Sequence, residues 1–331
     1  MGEIKGSAYR VDELIIGVDI GGTSVKIGLI NHDGEIVYKW EIPTNKDNQG
    51  RGIVDDIWNS ITETLSKQNI ASDIIGIGVG APGFVNRKTG IVEEAVNIGW
   101  KNFELRDAFH KLSHLPVFIE NDANLAALAE NWQGSGEQSK DVMFITLGTG
   151  VGGGIIVNGE IMNGVNGTAA ELGHILVDPN GSPCNCGRTG CLETIASATG
   201  IVRQAMDEVT DNPNGALASF YKQQGKLEAK DVFNLAQEGD MASENIIDKT
   251  MDVLGLAIAN TAVIINPSQI IIGGGVSKAG EQLLSKINRS FKKYALPRIS
   301  ECCELRLAEL GNDAGIIGAA YLVKKSLNNL E

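Results

Sequence analysis

Aromatic residues make up only 5% of this 331-residue chain, so its interior must be filled by Ile, Leu, Val and Ala rather than by stacked rings. Positive charge is short as well. The 28 Lys and Arg face 41 Asp and Glu, for a net charge of −13, which excludes the diffuse cationic surface that nucleic acid demands. An anionic ligand would have to be held by local backbone donors instead. No apolar run approaches the ~18 residues of a membrane span. The opening stretch MGEIKGSAYRVDEL has no apolar segment of signal-peptide length. The cytoplasm is therefore the expected compartment, and disulfides are uncommon there. Cysteine is scarce, at five residues. The length suits two domains.

Glycine is what the chain has in plenty: 41 residues, clustered rather than spread, which points to specific tight turns. In the stretch from Leu14 to Ile42 an apolar strand runs into Gly21-Gly22-Thr23, a second strand follows, and Asp33-Gly34 turns into a third. A strand, a glycine corner and another strand is not the strand–GxGxxG–helix context of a dinucleotide fingerprint. From Asp141 to Gly164 the pattern returns, with the corner at Gly148-Thr149-Gly150 and the hairpin turn at Asn158-Gly159. The matching spacings indicate an internal duplication, one copy per domain; two unrelated hairpins are the alternative. Helical periodicity appears in GIVDDIWNSITETLSKQ, in ANLAALAENW, over roughly 231–265, and in the closing DAGIIGAAYLVKKSL.

Several residues carry chemistry. Glycine corners expose backbone N–H groups that suit phosphate oxygens despite the negative net charge, and Thr23 and Thr149 add hydroxyl donors. Gly273-Gly274-Gly275 is a third place of close approach. Asp19, just before the first corner, either orients Mg²⁺ waters or stabilises the turn. Asn121-Asp122 stands at a strand-to-helix junction, where both residue types cap helices and where an ionised Asp can accept the proton of a hydroxyl under phosphorylation. If AAELGHILVD is helical, Glu171 and His174 share a face, a pair suited to sugar hydroxyls. His174, Cys184, Cys186 and Cys191 supply four N/S donors, the number and kind taken by a closed tetrahedral zinc site; a disulfide or unconnected thiols are the alternatives. Four protein ligands leave no place for a catalytic water, so the metal would organise the loop. Cys302-Cys303 reads as structural or incidental.

The stretches GVDIGGTSVKIGL, GAPGFV, ENDANLAALAE, FITLGTGVGGGIIVNGEIMNGVNGTAAELGHI and CNCGRTGCLETIAS resemble the ROK family of sugar kinases and regulators, within the actin-like, ribonuclease-H-like ATPases. IIIGGGVS and GNDAGIIGAA carry the resemblance almost to the C-terminus. Within the family the chain looks most like the glucose-phosphorylating members from low-GC Gram-positive bacteria. The resemblance implies an α/β, actin-like fold of two similar lobes with a central sugar cleft, residues 14–122 plus 312–331 forming a discontinuous N-terminal lobe and 123–311 the other. It implies ATP-dependent phosphorylation of D-glucose at O6, feeding glycolysis, with Asp122 as catalytic base. Sugar contacts would come from Gly83, Asn121, Asp122, Glu171, His174 and Glu193. ATP would lie across Gly21, Gly22, Thr23 and Lys26 and across Gly148, Thr149 and Gly150, with adenosine near Gly274, Mg²⁺ at Asp19 and structural zinc on the four N/S ligands. A homodimer or homotetramer is the implied assembly.

One departure from the family pattern is Ala169-Ala170, where many relatives have Gly before the acid, so a different local turn is expected there. The rival readings are a kinase for fructose, mannose, allose or N-acetylmannosamine, a sugar-sensing repressor, and a metal-buffering protein. The repressor reading suffers because a first strand near Leu14 leaves no room for a DNA-binding helix pair. The metal-buffering reading leaves both glycine corners without a purpose.

Overall fold

β-branched, aliphatic and aromatic residues recur through Glu13–Ile20 (β1), Ser24–Asn31 (β2) and Ile36–Pro43 (β3), and these segments form the expected meander. β1 and β2 run antiparallel with Ile20 opposite Val25, and β3 adds antiparallel to β2. Asp73–Ala81 (β4) pairs parallel with β1. The chain then makes a small antiparallel sheet from Phe84–Asn86 (β5), Ile91–Ala95 (β6) and Trp100–Phe103 (β7). Val117–Asn121 (β8) returns to lie parallel beside β4, completing the order β3-β2-β1-β4-β8.

This computed structural model describes residues 13–70 and 72–328. The first dozen residues, where no export segment is expected, and the last three lie outside that range. Two compact units divide the described chain: 13–133 with Asn163–Thr168 and 312–328, and 134–162 with 169–311. The helix Asp122–Gln133 belongs to the first unit, so the chain leaves that unit after Gln133 rather than at Asp122.

In the first unit the C-terminal helix Ala314–Asn328 lies against the sheet at backbone distance. A Cβ on Gly17 of β1 would run into the Ile316 carbonyl, and one on Gly78 of β4 into the Ala319 carbonyl. On the helix itself, Gly318 abuts the Leu125 carbonyl of the helix Asp122–Gln133. The glycines of β1 and β4 are therefore packing residues, and the small-residue face of the closing helix is their counterpart. Beside this seam the core is almost wholly aliphatic, with Ile16, Val18, Ile27, Ile57, Ile61, Ile77 and Ile119 at 1% exposure or less; each such burial contributes about 1.5–3 kcal/mol.

The second unit repeats the plan. Val142–Leu147 (β9), Val151–Val157 (β10) and Glu160–Ile161 (β11) form the meander, and Gln269–Gly273 (β12) and Glu304–Leu307 (β13) add in parallel, in the order β11-β10-β9-β12-β13. The pairing senses match those of the first sheet strand for strand. The helical stretch over 231–265 is two helices, Ala229–Gln237 and Met241–Ile265. Gly239, at φ 95°, breaks it, and Asp240 caps the second helix through Ser243 N–H at 2.9 Å. Among the described residues no helix is long and apolar enough to cross a membrane.

Candidate active site

In the second unit, three residues separate Leu147 from Val151, and the Gly148 N–H closes the corner on the Gly150 carbonyl at 3.0 Å. The corner is tied to the helix Ala198–Asp211: Ala198 N–H donates to the Gly148 carbonyl and the Thr199 hydroxyl to the Thr149 carbonyl, each at 2.8 Å. A Cβ on Gly150 would come within 2.7 Å of Glu193 Oε2, whereas one on Gly148 would meet nothing within 4 Å. Neither glycine has left-handed backbone. Gly150 thus makes room for Glu193, and Gly148 leaves a face of the corner open. Gly274 has a structural reason of its own, since its φ is 86° and its Cα abuts the Leu147 backbone.

AAELGHILVD does not form an α-helix. Ala170 adopts φ 63°, and only Leu172–His174 makes a 3₁₀ turn. The turn is tight because Gly153 and Gly173 bring this segment onto the backbone of β10, against the Ala170 and Val151 carbonyls. Glu171 stands just before this turn with non-helical backbone, at φ −69° and ψ 62°. Burial raises the proton affinity of Glu171, with the nearby Glu193 charge adding to the effect and His174 opposing it. His174 Nδ1 lies 3.8 Å from Glu193 Oε1. Glu171, His174 and Glu193 are therefore one group, and through Gly150 that group adjoins the glycine corner.

The Nδ1 or Nε2 and Sγ donors of His174, Cys184, Cys186 and Cys191 lie within 4.8 Å of one another. All five cysteines are free thiols. Cys186 and Cys191 sulfurs are 3.6 Å apart, as are Cys184 Sγ and His174 Nδ1. A tetrahedral metal with ~2.3 Å bonds to sulfur spaces its sulfurs about 3.8 Å apart, so the donor set fits such an ion. The loop is folded by its own backbone: Cys184 N–H donates to the Arg188 carbonyl at 2.8 Å, and Leu176 bridges to Cys191. Arg188 also lowers Cys186 to about 6, while burial raises Cys184 and Cys191. Cys184 donates to Glu193 Oε1 at 2.9 Å, which joins the cluster to the acid group. Cys302 and Cys303 take no part in it.

The first unit holds the remaining candidates. Four residues separate Ile20 from Val25, and Gly21 N–H closes this longer corner on the Ser24 carbonyl at 2.9 Å. Thr44, which the sequence did not single out, pins it: its hydroxyl donates to the Gly21 carbonyl at 2.7 Å and its N–H to the Thr23 carbonyl at 3.0 Å. Asp19 and Lys26 face each other across the strands at 4.0 Å. Burial raises Asp19's proton affinity, with Lys26 pulling the other way. Gly315 at the start of the C-terminal helix is glycine because the Asp19 carboxyl lies 2.5 Å from where its Cβ would be.

At the end of β8 the capping question is answered by Asn121. Its Oδ1 accepts from Ala123 N–H at 2.9 Å and Asn124 N–H at 3.3 Å, and its Nδ2 donates to the Gly83 carbonyl at 3.0 Å. Gly83, at φ 81°, is held by the turn after β4. Asp122 is exposed, with Oδ1 2.8 Å from the Ala123 N–H. Asn121 is thus the residue that caps two amides of the first turn, and it shares the Ala123 N–H with Asp122. Glu120 and Asn124, both 2% exposed, lie beneath this turn. Both lie in the stretch ENDANLAALAE, but the sequence singled out neither, because an acid at a strand end reads as an ordinary surface charge.

A family model described as "ROK family" matches residues 15–326. The chain is 52% identical to a glucokinase of Halalkalibacterium halodurans over 97% of its length and 98% of that protein's. It is 39% identical to a glucokinase of Thermotoga maritima, with 95% and 98% covered. A crystal structure of a ROK family glucokinase from Streptomyces griseus in complex with glucose and AMPPNP is 36% identical, covers 94% of this chain and 99% of its own, and superposes with a TM-score of 0.78.

Proposed function

The chain belongs to the ROK family, and we propose that it transfers the γ-phosphoryl group of ATP to O6 of D-glucose in the cytoplasm, with Asp122 as catalytic base. The observation that carries this reading is the β8 junction, where Asn121 caps the helix and the neighbouring Asp122 carboxylate is exposed. Names of the relatives give the substrate, since the glucokinase kinship extends over almost the whole length of both chains.

In this reading Asp122 orients the 6-hydroxyl and accepts its proton as the bond from O6 to phosphorus forms and ADP departs. Gly83, Asn121, Glu171, His174 and Glu193 hold the remaining hydroxyls. Glu171 and Glu193 act as acceptors, and the imidazole is fixed in orientation because Nδ1 faces the sulfurs. The first amide of each corner is spent on closing the corner. The phosphate donors are accordingly the amides that follow, at Gly22 and Thr23 and at Thr149 and Gly150, with Lys26 and the two threonine hydroxyls. Gly274 brings backbone close to the adenosine. Asp19 would hold Mg²⁺, which would supply positive charge beside the phosphates. Zinc held by His174, Cys184, Cys186 and Cys191 fixes the loop that presents Glu193 and performs no step itself. Most of the acceleration comes from positioning and electrostatics. A second copy of the chain completes the proposed assembly, a homodimer or a tetramer of such pairs.

The test is Asp122→Asn. Its kcat should fall by roughly 10²–10⁴ in a coupled assay with glucose and ATP, with zinc content and melting temperature retained. A variant turning over near the wild-type rate would remove Asp122 from the role of base.

A further inference from the structure

Strand β8 ends in a carboxyl group that the fold has buried at some expense. Glu120 is 2% exposed, and its Oε1 accepts two hydrogen bonds, from the Asn121 backbone N–H at 2.9 Å and from Asn124 Nδ2 at 3.0 Å. Asn124 is equally buried and extends its amide to Asn163 Oδ1 at 3.3 Å. Among the described residues, no donor reaches the buried Glu120 Oε2 or Asn124 Oδ1. Each such atom loses its hydration without a replacement hydrogen bond. Neither Glu120 nor Asn124 forms an ion pair among the described residues. A hydrocarbon side chain at either position would avoid these costs, and groups that break the local rules of burial concentrate at functional sites.

The two bonds of Oε1 are placed on either side of Asp122. One fixes the peptide N–H of the residue before it, and the other fixes the side chain two residues after it. Asn121, whose own N–H is held in this way, caps the same turn through Ala123 and Asn124. The turn that carries Asp122 is thus clamped from below by one carboxyl oxygen and from above by the Asn121 side chain. We propose that Glu120, acting with Asn124, is a positioning residue for Asp122: it holds the strand-to-helix turn in the single conformation that aims the catalytic carboxylate. The proposal rests on the reading of Asp122 as base. Glu120 is too deeply buried to touch the sugar or ATP itself.

Positioning, charge and mere packing make different predictions for two substitutions. Glu120→Gln keeps an acceptor oxygen for both bonds, whereas Glu120→Ala removes it. In the full-length, metal-loaded protein, Glu120→Ala should lower kcat by roughly 10–10², the cost of a misplaced reacting group, with the KM for ATP unchanged within about threefold. Glu120→Gln should restore kcat to within about threefold of wild type. In an Asp122→Asn background Glu120→Ala should cost less than about twofold more, because its effect passes through the group already removed. Wild-type kcat in Glu120→Ala overturns the proposal, and so does a Glu120→Gln variant as slow as Glu120→Ala. Should Glu120→Ala not fold, Asn124→Ala decides: a kcat loss of roughly tenfold or more is expected, and an unchanged kcat overturns the proposal. A fast Asp122→Asn enzyme would sink the base reading instead, so the two failures are distinguishable.

Discussion

The two units have the same strand order and the same pairing senses, yet they spend their glycines differently. In the first unit Gly17 of β1 and Gly78 of β4 lie under the C-terminal helix, and their missing side chains are filled by that helix's backbone. In the second unit Gly150 admits a carboxylate and Gly148 faces open space. Acids differ in the same way. Asp19 sits two residues before its corner, and the matching place before Gly148 is Thr146. The acids of the second unit, Glu171 and Glu193, come instead from the segment that follows β11 and from the end of the cysteine loop. A duplicated sheet has supplied two corners of similar shape, and the insertions and single side chains around them have divided the chemistry.

The largest effect that should separate the units comes from removing metal from the second. Chelation, or Cys191→Ala at a fully buried sulfur, should weaken glucose affinity by roughly 10–100-fold while leaving the KM for ATP nearly unchanged. Calorimetry with glucose and metal analysis near one equivalent per chain check this. Equal glucose affinity with and without metal would detach the cluster from the acid group.

A matched pair of substitutions tests the two uses of glycine. Gly78→Ala pushes a methyl group into the Ala319 carbonyl and should cost about 3 kcal/mol by overpacking. Gly148→Ala meets nothing, should change stability by less than about 0.5 kcal/mol, and should raise the KM for ATP roughly tenfold by obstructing the backbone donors. Denaturant melts and steady-state kinetics on the two variants suffice. The comparison fails if the two stability losses are equal.

Asp19 offers a smaller effect with a defined sign. Burial raises its proton affinity in the folded chain, so the folded state binds that proton more tightly than the unfolded state does. The corresponding stability is present below the ordinary carboxylate range and is lost as pH rises through the folded-state value. Asp19→Asn should therefore melt higher than wild type at neutral pH without metal, with the difference shrinking as pH falls, while its activity at limiting Mg²⁺ drops. The smallest effect is at Ala170, whose left-handed backbone costs an alanine about 1 kcal/mol. Ala170→Gly should recover roughly that amount, measured as a shift in the denaturation midpoint.

Much of this arrangement is legible in the residues. The two corners, the four N/S ligands and the acids around them are local patterns, with short spacings and distinctive side chains. What stayed hidden depends on distant partners or on burial. Gly17 and Gly78 look like weak points in their strands until Ile316 and Ala319, more than two hundred residues later, are seen against them. Helical periodicity runs on through Gly239 because the apolar spacing on either side is continuous, although its φ of 95° ends the helix. The segment carrying Glu171 and His174 is a 3₁₀ turn preceded by non-helical chain rather than the α-helix expected, because Ala170 takes left-handed backbone. Glu120 shows nothing of its burial in FIEND.

Action on glucose with ATP can be read in one coupled assay over glucose, fructose, mannose, allose and N-acetylmannosamine, with ATP and polyphosphate as donors and the site of phosphorylation followed by NMR. Glucose with ATP should give the highest kcat/KM, and the product should carry its phosphate at O6. A higher kcat/KM for another hexose, or a phosphate at any other oxygen, would contradict the glucose reading.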